Sequence, residues 1–324
     1  TVNKPATWIH YTVLAVVTLA AVGLAWGAPL EVGYRFIRYG GFVFLLALFA
    51  CAMGLCSVFI WRLYQGQAGS FIFRLWPGLL LALIGGAFAL SSGPQMAVMD
   101  DEGTILNTAL AIDATGEVFA AHRGYWVDGN FEIVDGRLDK RPALYAALVA
   151  VIHQATGYRL ENGFILNLML GAGALFFLWH LLAIFGGRWP AFLACLPVAS
   201  HPLFSVSSAS AGLEPLTLFL AVLIGWTMVV YANVHRDSAQ KTSGETHHPP
   251  LACVLCLGTL IAYARYEAIL WVIPIGVFAL IVGGGLRHYR GSHFAWIAPL
   301  LLVPAVWWYR CATARVGGFE IADP

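Results

Sequence analysis

Residues 163–185 read GFILNLMLGAGALFFLWHLLAIF, 23 positions without a charged side chain. A helix needs about 20 apolar residues to cross the hydrocarbon core of a bilayer, so this stretch reads as a membrane span. Similar stretches lie at 8–30, 39–60, 213–233 and 294–312, and shorter ones at 75–92 and 190–206. The stretch 251–285 is too long for one span and is interrupted by Arg265-Tyr266-Glu267. It reads as two helices, 251–264 and 268–285. Charged groups at membrane depth are expensive, and a break that faces a cavity is the cheaper arrangement. The total is about nine spans in an all-α polytopic membrane protein.

Composition agrees. Of 324 residues 60% are hydrophobic and 11% charged, with a mean hydropathy of +0.75, against roughly a quarter charged in a soluble domain. Such a chain has too little polar surface to face water, so lipid must cover it. The six cysteines fall in or beside apolar segments and read as small packing residues. Cys253-x-x-Cys256 has redox or metal spacing, but it sits in an apolar helix without a nearby second ligand pair, so neither use is expected. The first apolar stretch is too long for the core of a cleavable signal. No internal repeat is visible.

The segment 142–156, PALYAALVAVIHQAT, is apolar but only about 15 residues long, and it holds His153 and Gln154. A juxtamembrane helix in the interface fits it better than a span. Charge supports that choice. If 142–156 does not cross, the N-terminus and loops 61–74, 186–189, 234–250 and 286–293 share one face. They carry Lys4, Arg62, Arg74, Arg188, Arg236, Lys241, Arg287 and Arg290, against Asp237 and Glu245. Basic short loops mark the cytoplasmic side. The opposite, extracytoplasmic face then receives the whole 93–162 loop, Glu214 and the break at 265–267. Residues 235–250 read as a mobile cytoplasmic loop, with His247-His248 as solvated histidines.

The loop 93–141 holds nine acids and four Lys or Arg residues. Most of these acids read as solvated. Asp100-Asp101-Glu102 stands apart, close to a membrane exit and just before a short helix at Thr104–Ala114. An Asp there either caps the helix or presents a carboxylate at the bilayer surface. Lys140-Arg141 opens the 142–156 helix, either as an anchor snorkelling to water or as a grip on phosphate. Glu214 opens a span, where an acid also suits the helix dipole. Arg265 either pairs with Glu267 or faces a cavity. Carboxylates and cations on one membrane face suit transfer of a group from a lipid phosphate to a hydroxyl. A carboxylate takes the hydroxyl proton, and cations stabilise the departing phosphate.

Several of these stretches, in this order, resemble the GT-C class of polyprenyl-phosphate-sugar-dependent glycosyltransferases, and within it bacterial aminoarabinose transferases and protein O-mannosyltransferases. Met99-Asp100-Asp101-Glu102-Gly103 resembles the family's Asp-Glu pair at the start of its first periplasmic loop. Lys140-Arg141-Pro142-Ala143-Leu144-Tyr145 resembles its Lys/His-Pro-Pro-Leu-Tyr stretch, with Gly157 ending the helix that follows. Pro197 to Glu214 resembles its proline, small-residue run and second acid. Tyr263 to Glu267 resembles the basic residue after the next span. The likeness covers roughly residues 95–285.

What the resemblance implies is an inverting hexosyl- or pentosyltransferase in a bacterial inner membrane. Its Asp101 would be the general base, with Glu102 beside it and Glu214 across the site. Lys140, Arg141, Arg265 and Tyr145 would bind the lipid-linked donor, with Asp100, Tyr266 and Glu267 nearby. The alternative register of the pair is Asp100-Asp101. Asp101 and Glu102 are also the residues a divalent cation would use, if the reaction needs one. The partners would be a polyprenyl-phosphate sugar, membrane lipids and an acceptor glycan, lipid or protein; nucleic acid is not expected. The chain would divide into a three-helix membrane segment (1–92), a periplasmic catalytic loop with juxtamembrane helices (93–162) and the remaining transmembrane helices (163–324).

The chain departs from the pattern in three ways. Ala143 replaces the second proline, two extra helices precede the acidic pair, and the family's C-terminal spans are missing, which implies a chain cut short. Two other classes compete: a transporter or flippase for a lipid-linked or acidic solute, which broken helices with an internal charge would suit, and a non-catalytic assembly subunit.

Overall fold

The computed structural model describes residues 5–64, 68–128, 130–240, 249–282, 293–314 and 319–320. The chain is helical apart from one hairpin and a short third strand, and it is an integral membrane protein. Among the described residues four helices are long and apolar enough to cross a membrane: Leu30–Leu63, Leu75–Ser92, Glu161–Gly186 and Glu214–Asn233. A bent pair, Arg188–Ala199 and Pro202–Ser208, makes a fifth if it is taken as one span.

The expected spans differ from the helices at proline. α1 (Pro5–Gly27) stops before Pro29, and α2 (Leu30–Arg35) runs through a π-turn at Phe36–Gly40 into α3 (Gly41–Tyr64). The span expected at 39–60 therefore begins nine residues earlier. The span expected at 190–206 is bent by 73° between α8 (Arg188–Ala199) and α9 (Pro202–Ser208). Pro202 has no N–H and pushes the residue before it out of the helical region, and His201 is extended at φ −71°, ψ 129°. The span expected at 294–312 divides in the same way into α13 (His293–Leu301) and α14 (Val303–Thr313), with Pro304 in the first turn of α14.

Hydrogen bonds tell the two ends of the helix bundle apart. α7 (Glu161–Gly186) runs from the loop end, where Asn167 Nδ2 donates to the carbonyls of Ser210 (2.7 Å) and Gly212 (2.9 Å). At its far end Trp179 Nε1 donates to the Arg188 carbonyl (3.1 Å). The bent α8–α9 pair therefore returns along the length of α7, and α10 (Glu214–Gln240) starts again at the loop end. The Val118 amide donates to the Arg38 carbonyl (2.8 Å), and Arg38 pairs with Glu117 at 2.6 Å, which puts the start of α3 at the loop end too. Arg310 reaches the carbonyls of Ala25 and Ala28, and Trp308 that of Asp139, so the end of α1 and the middle of α14 join the same end. Lys4, Lys241, Glu245, Arg287 and Arg290, on which the charge asymmetry largely rested, lie outside the described residues, as do His247, His248 and the side chains of Arg74, Arg236 and Asp237.

Small residues let these helices approach. α4 (Ala68–Ser92) packs on α7, and a Cβ on Gly85 would run into Leu175, just as one on Gly171 would run into Ser208 of α9. Helix association in lipid depends on such close contact, because lipid tails are as apolar as leucine. Large apolar side chains such as Val43, Leu83, Leu90, Phe185 and Ile273 point outward, where lipid covers them.

α6 (Leu144–Thr156) is 13 residues long, about 20 Å, and too short to cross. Tyr145 near its start donates to the Gly163 carbonyl (2.8 Å), and His153 near its end meets Asn162 Nδ2 (2.8 Å). Both ends thus meet the first turn of α7, so the helix lies across that end of the bundle. α3, α5 (Met99–Thr115) and α7 cover it, and Leu144 to Ala150 are buried.

The loop also contains a hairpin that was not expected. β1 (Ala120–Val127) pairs antiparallel with β2 (Asn130–Arg137), from Ala120–Arg137 to Val127–Asn130, with a bulge at Arg123. A short β3 (Phe319–Glu320) adds to β2. The signal was in the sequence: Asp128-Gly129 between two β-prone runs is a two-residue hairpin turn, and Asp128 has the positive φ, 50°, that such a turn requires.

Candidate functional site

The acidic triplet lies inside the first turn of α5, since the helix starts at Met99 and not near Thr104. Neither Asp100 nor Asp101 caps it. Glu102 does so by folding back: its Oε1 accepts the N–H groups of Ala97 (3.0 Å) and Val98 (3.1 Å). Its Oε2 accepts the N–H of Ala211 (3.0 Å), on the loop before α10. The side chain is 3% exposed. A buried carboxylate with three backbone donors is a structural fastener, tying the start of α5 to the 209–213 loop.

Asp101 is placed differently. Its side chain is 52% exposed and forms an ion pair with Arg141. Arg141, by contrast, is 8% exposed. Its Nη1 lies 3.2 Å from both carboxylate oxygens of Asp139. The snorkelling alternative is thus set aside, because this guanidinium is held inward between two acids. Asp139, read from sequence as an ordinary surface acid, is buried, and its carbonyl is held by Trp308 Nε1 (3.0 Å). Burial raises the Asp139 carboxyl above the usual range, against the pull of Arg141 and its own backbone contacts. Asp139 shares a two-residue spacing with Arg141, the only sequence sign of its role.

Arg265 lies in the break between α11 (Pro249–Leu260) and α12 (Val272–Val282), flanked by 3₁₀ turns at Ile261–Tyr263 and Tyr266–Trp271. It is extended at φ −155°, ψ 144°, which turns the chain out of the helix. The internal-pair and cavity readings both hold: Arg265 Nε meets Glu267 Oε2 at 3.0 Å, and its Nη1 lies 3.6 Å from Glu214 Oε1. Although desolvation opposes it, contacts from its own N–H, Tyr266 and Arg265 hold the Glu267 carboxyl below the usual range.

These residues share one cavity of about 100 Å³, lined by Asp101, Glu102, Lys140, Arg141, Glu214, Arg265 and Tyr266 among others. Lys140 is exposed and, among the described residues, makes no ion pair. Gly212 also lines the cavity, and a Cβ there would collide with the Glu214 carboxylate. Three expected site residues fall outside this lining: Asp100, Tyr145 and Glu267, which pairs with Arg265 instead. Tyr145 is fully buried and spends its hydroxyl on Gly163; burial, with the Glu102 and Glu214 carboxylates nearby, keeps its phenol protonated well above the ordinary range.

A second cavity, about 520 Å³ and mostly apolar, opens beside the first. The bend between α8 and α9 forms it, with Pro197, Val198, Leu203, Phe204, Pro215 and Leu218 among its walls. Glu214 lines both cavities. The arrangement can hold an amphipathic molecule, with a charged group between Lys140, Arg141 and Arg265 and an apolar chain in the bend. It is poorly built for a metal. Both Glu102 oxygens are occupied by N–H donors, and no group of three or more His, Cys, Asp or Glu side chains able to hold a metal occurs among the described residues. No family model matches the chain, and no curated protein or solved structure matches it.

Proposed function

We propose that this chain is a GT-C-type glycosyltransferase that moves a sugar from a polyprenyl-phosphate donor to an acceptor hydroxyl. The reading includes about nine spans, a bacterial inner membrane, and a periplasmic position for the 93–162 loop. The observation that carries it is the place of Glu214 on the wall shared by a small charged cavity and a larger apolar one. A lipid-linked sugar phosphate has those two halves.

In this reading the polyprenyl chain lies in the α8–α9 bend and the phosphate sits among Lys140, Arg141 and Arg265. The phosphate competes with Asp101 for Arg141. Asp101, freed from that pair, accepts the proton of the attacking hydroxyl. The bond from the sugar's anomeric carbon to the phosphate oxygen breaks, a bond to the acceptor oxygen forms, and the lipid phosphate leaves with the electron pair. Arg141 and Arg265 stabilise the charge that grows on it. Glu214 holds Arg265 in place from the opposite wall.

The test is binding of polyprenyl phosphate to the purified chain, followed by native mass spectrometry or thermal shift. Retention by the wild type and a loss of about 10- to 100-fold in Arg265→Ala is the expected result. Equal retention of a neutral polyprenol would overturn the phosphate assignment. The breaks at 200–201 and 264–265 also suit a transporter; vesicles that move an acidic solute with no lipid donor present would favour that reading.

A further inference from the structure

Four of the six cysteines lie on one helix pair. Cys51 and Cys56 lie on α3, and Cys253 and Cys256 lie on α11, which packs against it. The fold thus brings one thiol of α3 against Cys253. The Sγ atoms of Cys56 and Cys253 are 3.1 Å apart and both residues are buried. A sulfur–sulfur bond is about 2.05 Å long, so Cys56 and Cys253 need approach by only about 1 Å to join.

We infer that Cys56 and Cys253 are an oxidisable dithiol whose disulfide ties α3 to α11. Two S–H bonds break and one S–S bond forms. Two electrons and two protons pass to a membrane-soluble quinone, which becomes the quinol. Both thiols are buried in the hydrophobic core, which suits a membrane-soluble oxidant better than a water-borne one. The same helix pair is already pinned nearer the loop end, where the Tyr263 and Phe44 rings meet at 5.5 Å. Tyr263 lies two residues before Arg265, so the cross-link anchors the helix that leads into the break holding that cation. It also closes a loop of 197 residues, which restricts the unfolded chain.

The test uses the full chain in lipid nanodiscs, incubated with a short-chain quinone. Remaining thiols are blocked with N-ethylmaleimide and the protein is digested without reductant. The expected product is a peptide pair joined through Cys56 and Cys253, with a melting temperature several degrees above that of the reduced chain. Cys253→Ser removes the joined peptides and the thermal shift together, while Cys195 and Cys311 stay alkylated in both proteins. Recovery of Cys56 and Cys253 as alkylated residues from the quinone-treated wild type overturns the inference, as does linkage of either to another cysteine in place of this one.

Discussion

The Ala211 amide donates to Glu102 Oε2 at 3.0 Å and so joins two segments 109 residues apart. With Ala97 and Val98 on the other oxygen, Glu102 satisfies three buried or half-buried backbone donors. Replacing it by alanine leaves all three unpaired. Glu102→Ala is expected to destabilise the chain by about 3 kcal/mol, measured by unfolding in detergent. Glu102→Gln, which keeps one acceptor oxygen, is expected to lose less. A Glu102→Gln protein with an unchanged melting temperature and no transfer activity would instead make Glu102 a reacting group.

Asp101→Asn separates chemistry from folding. The Asp101 side chain is half exposed, and exposed ion pairs contribute about 0–1 kcal/mol. The variant is expected to insert and melt like the wild type while sugar transfer is abolished. Full transfer in this protein would remove Asp101 as the base.

Gly212→Ala tests the position of Glu214. The added methyl would meet the Glu214 carboxylate and push it from Arg265, now 3.6 Å away. The expected outcome is weaker retention of polyprenyl phosphate with a small change in melting temperature. Gly103→Ala serves as the control, because a Cβ there meets nothing within 4 Å.

His153 gives the stability a pH dependence. The side chain is 1% exposed; its Nδ1 contacts Asn162, its Nε2 has no hydrogen-bond partner among the described residues, and the Tyr158 ring lies 5.0 Å away. Burial lowers its pKa below the usual histidine value of 6.5, against the pull of Asp113. The unfolded chain therefore takes up a proton that the folded chain resists. Stability is fully present above pH 6.5 and is lost as pH falls from there through the lower folded value. Thermal scans between pH 7.5 and about 5 should show this decline, and His153→Gln should flatten it.

Much of this arrangement is legible along the chain. Asp101, Arg141, Glu214 and Arg265 stand out because charge beside long apolar runs is costly, and all four line one cavity. Asp139 did not stand out, because nothing in its neighbours distinguishes a buried acid from a solvated one until α14 brings Trp308 against it. Tyr145 departs from its expected place for a related reason. Its place in a motif carried no information about Gly163, the group that takes its hydroxyl. The hairpin at 120–137 is legible in Asp128-Gly129, a two-residue turn signal between β-prone runs.

Hydropathy is a property of consecutive residues, so the sequence by itself determined the membrane class, the short length of α6 and the break at Arg265. Partner choice is not local. Whether a carboxylate of the Asp100–Glu102 triplet faces a cavity or clasps backbone depends on which loop the helix bundle delivers to it. Only the tertiary structure decided that Glu102 clasps Ala211 while Asp101 faces Arg141, because both contacts close over 40 or more residues of intervening chain. The same packing brought Cys56 to Cys253 across 197 residues and bent α8 from α9 to open the apolar cavity at Glu214.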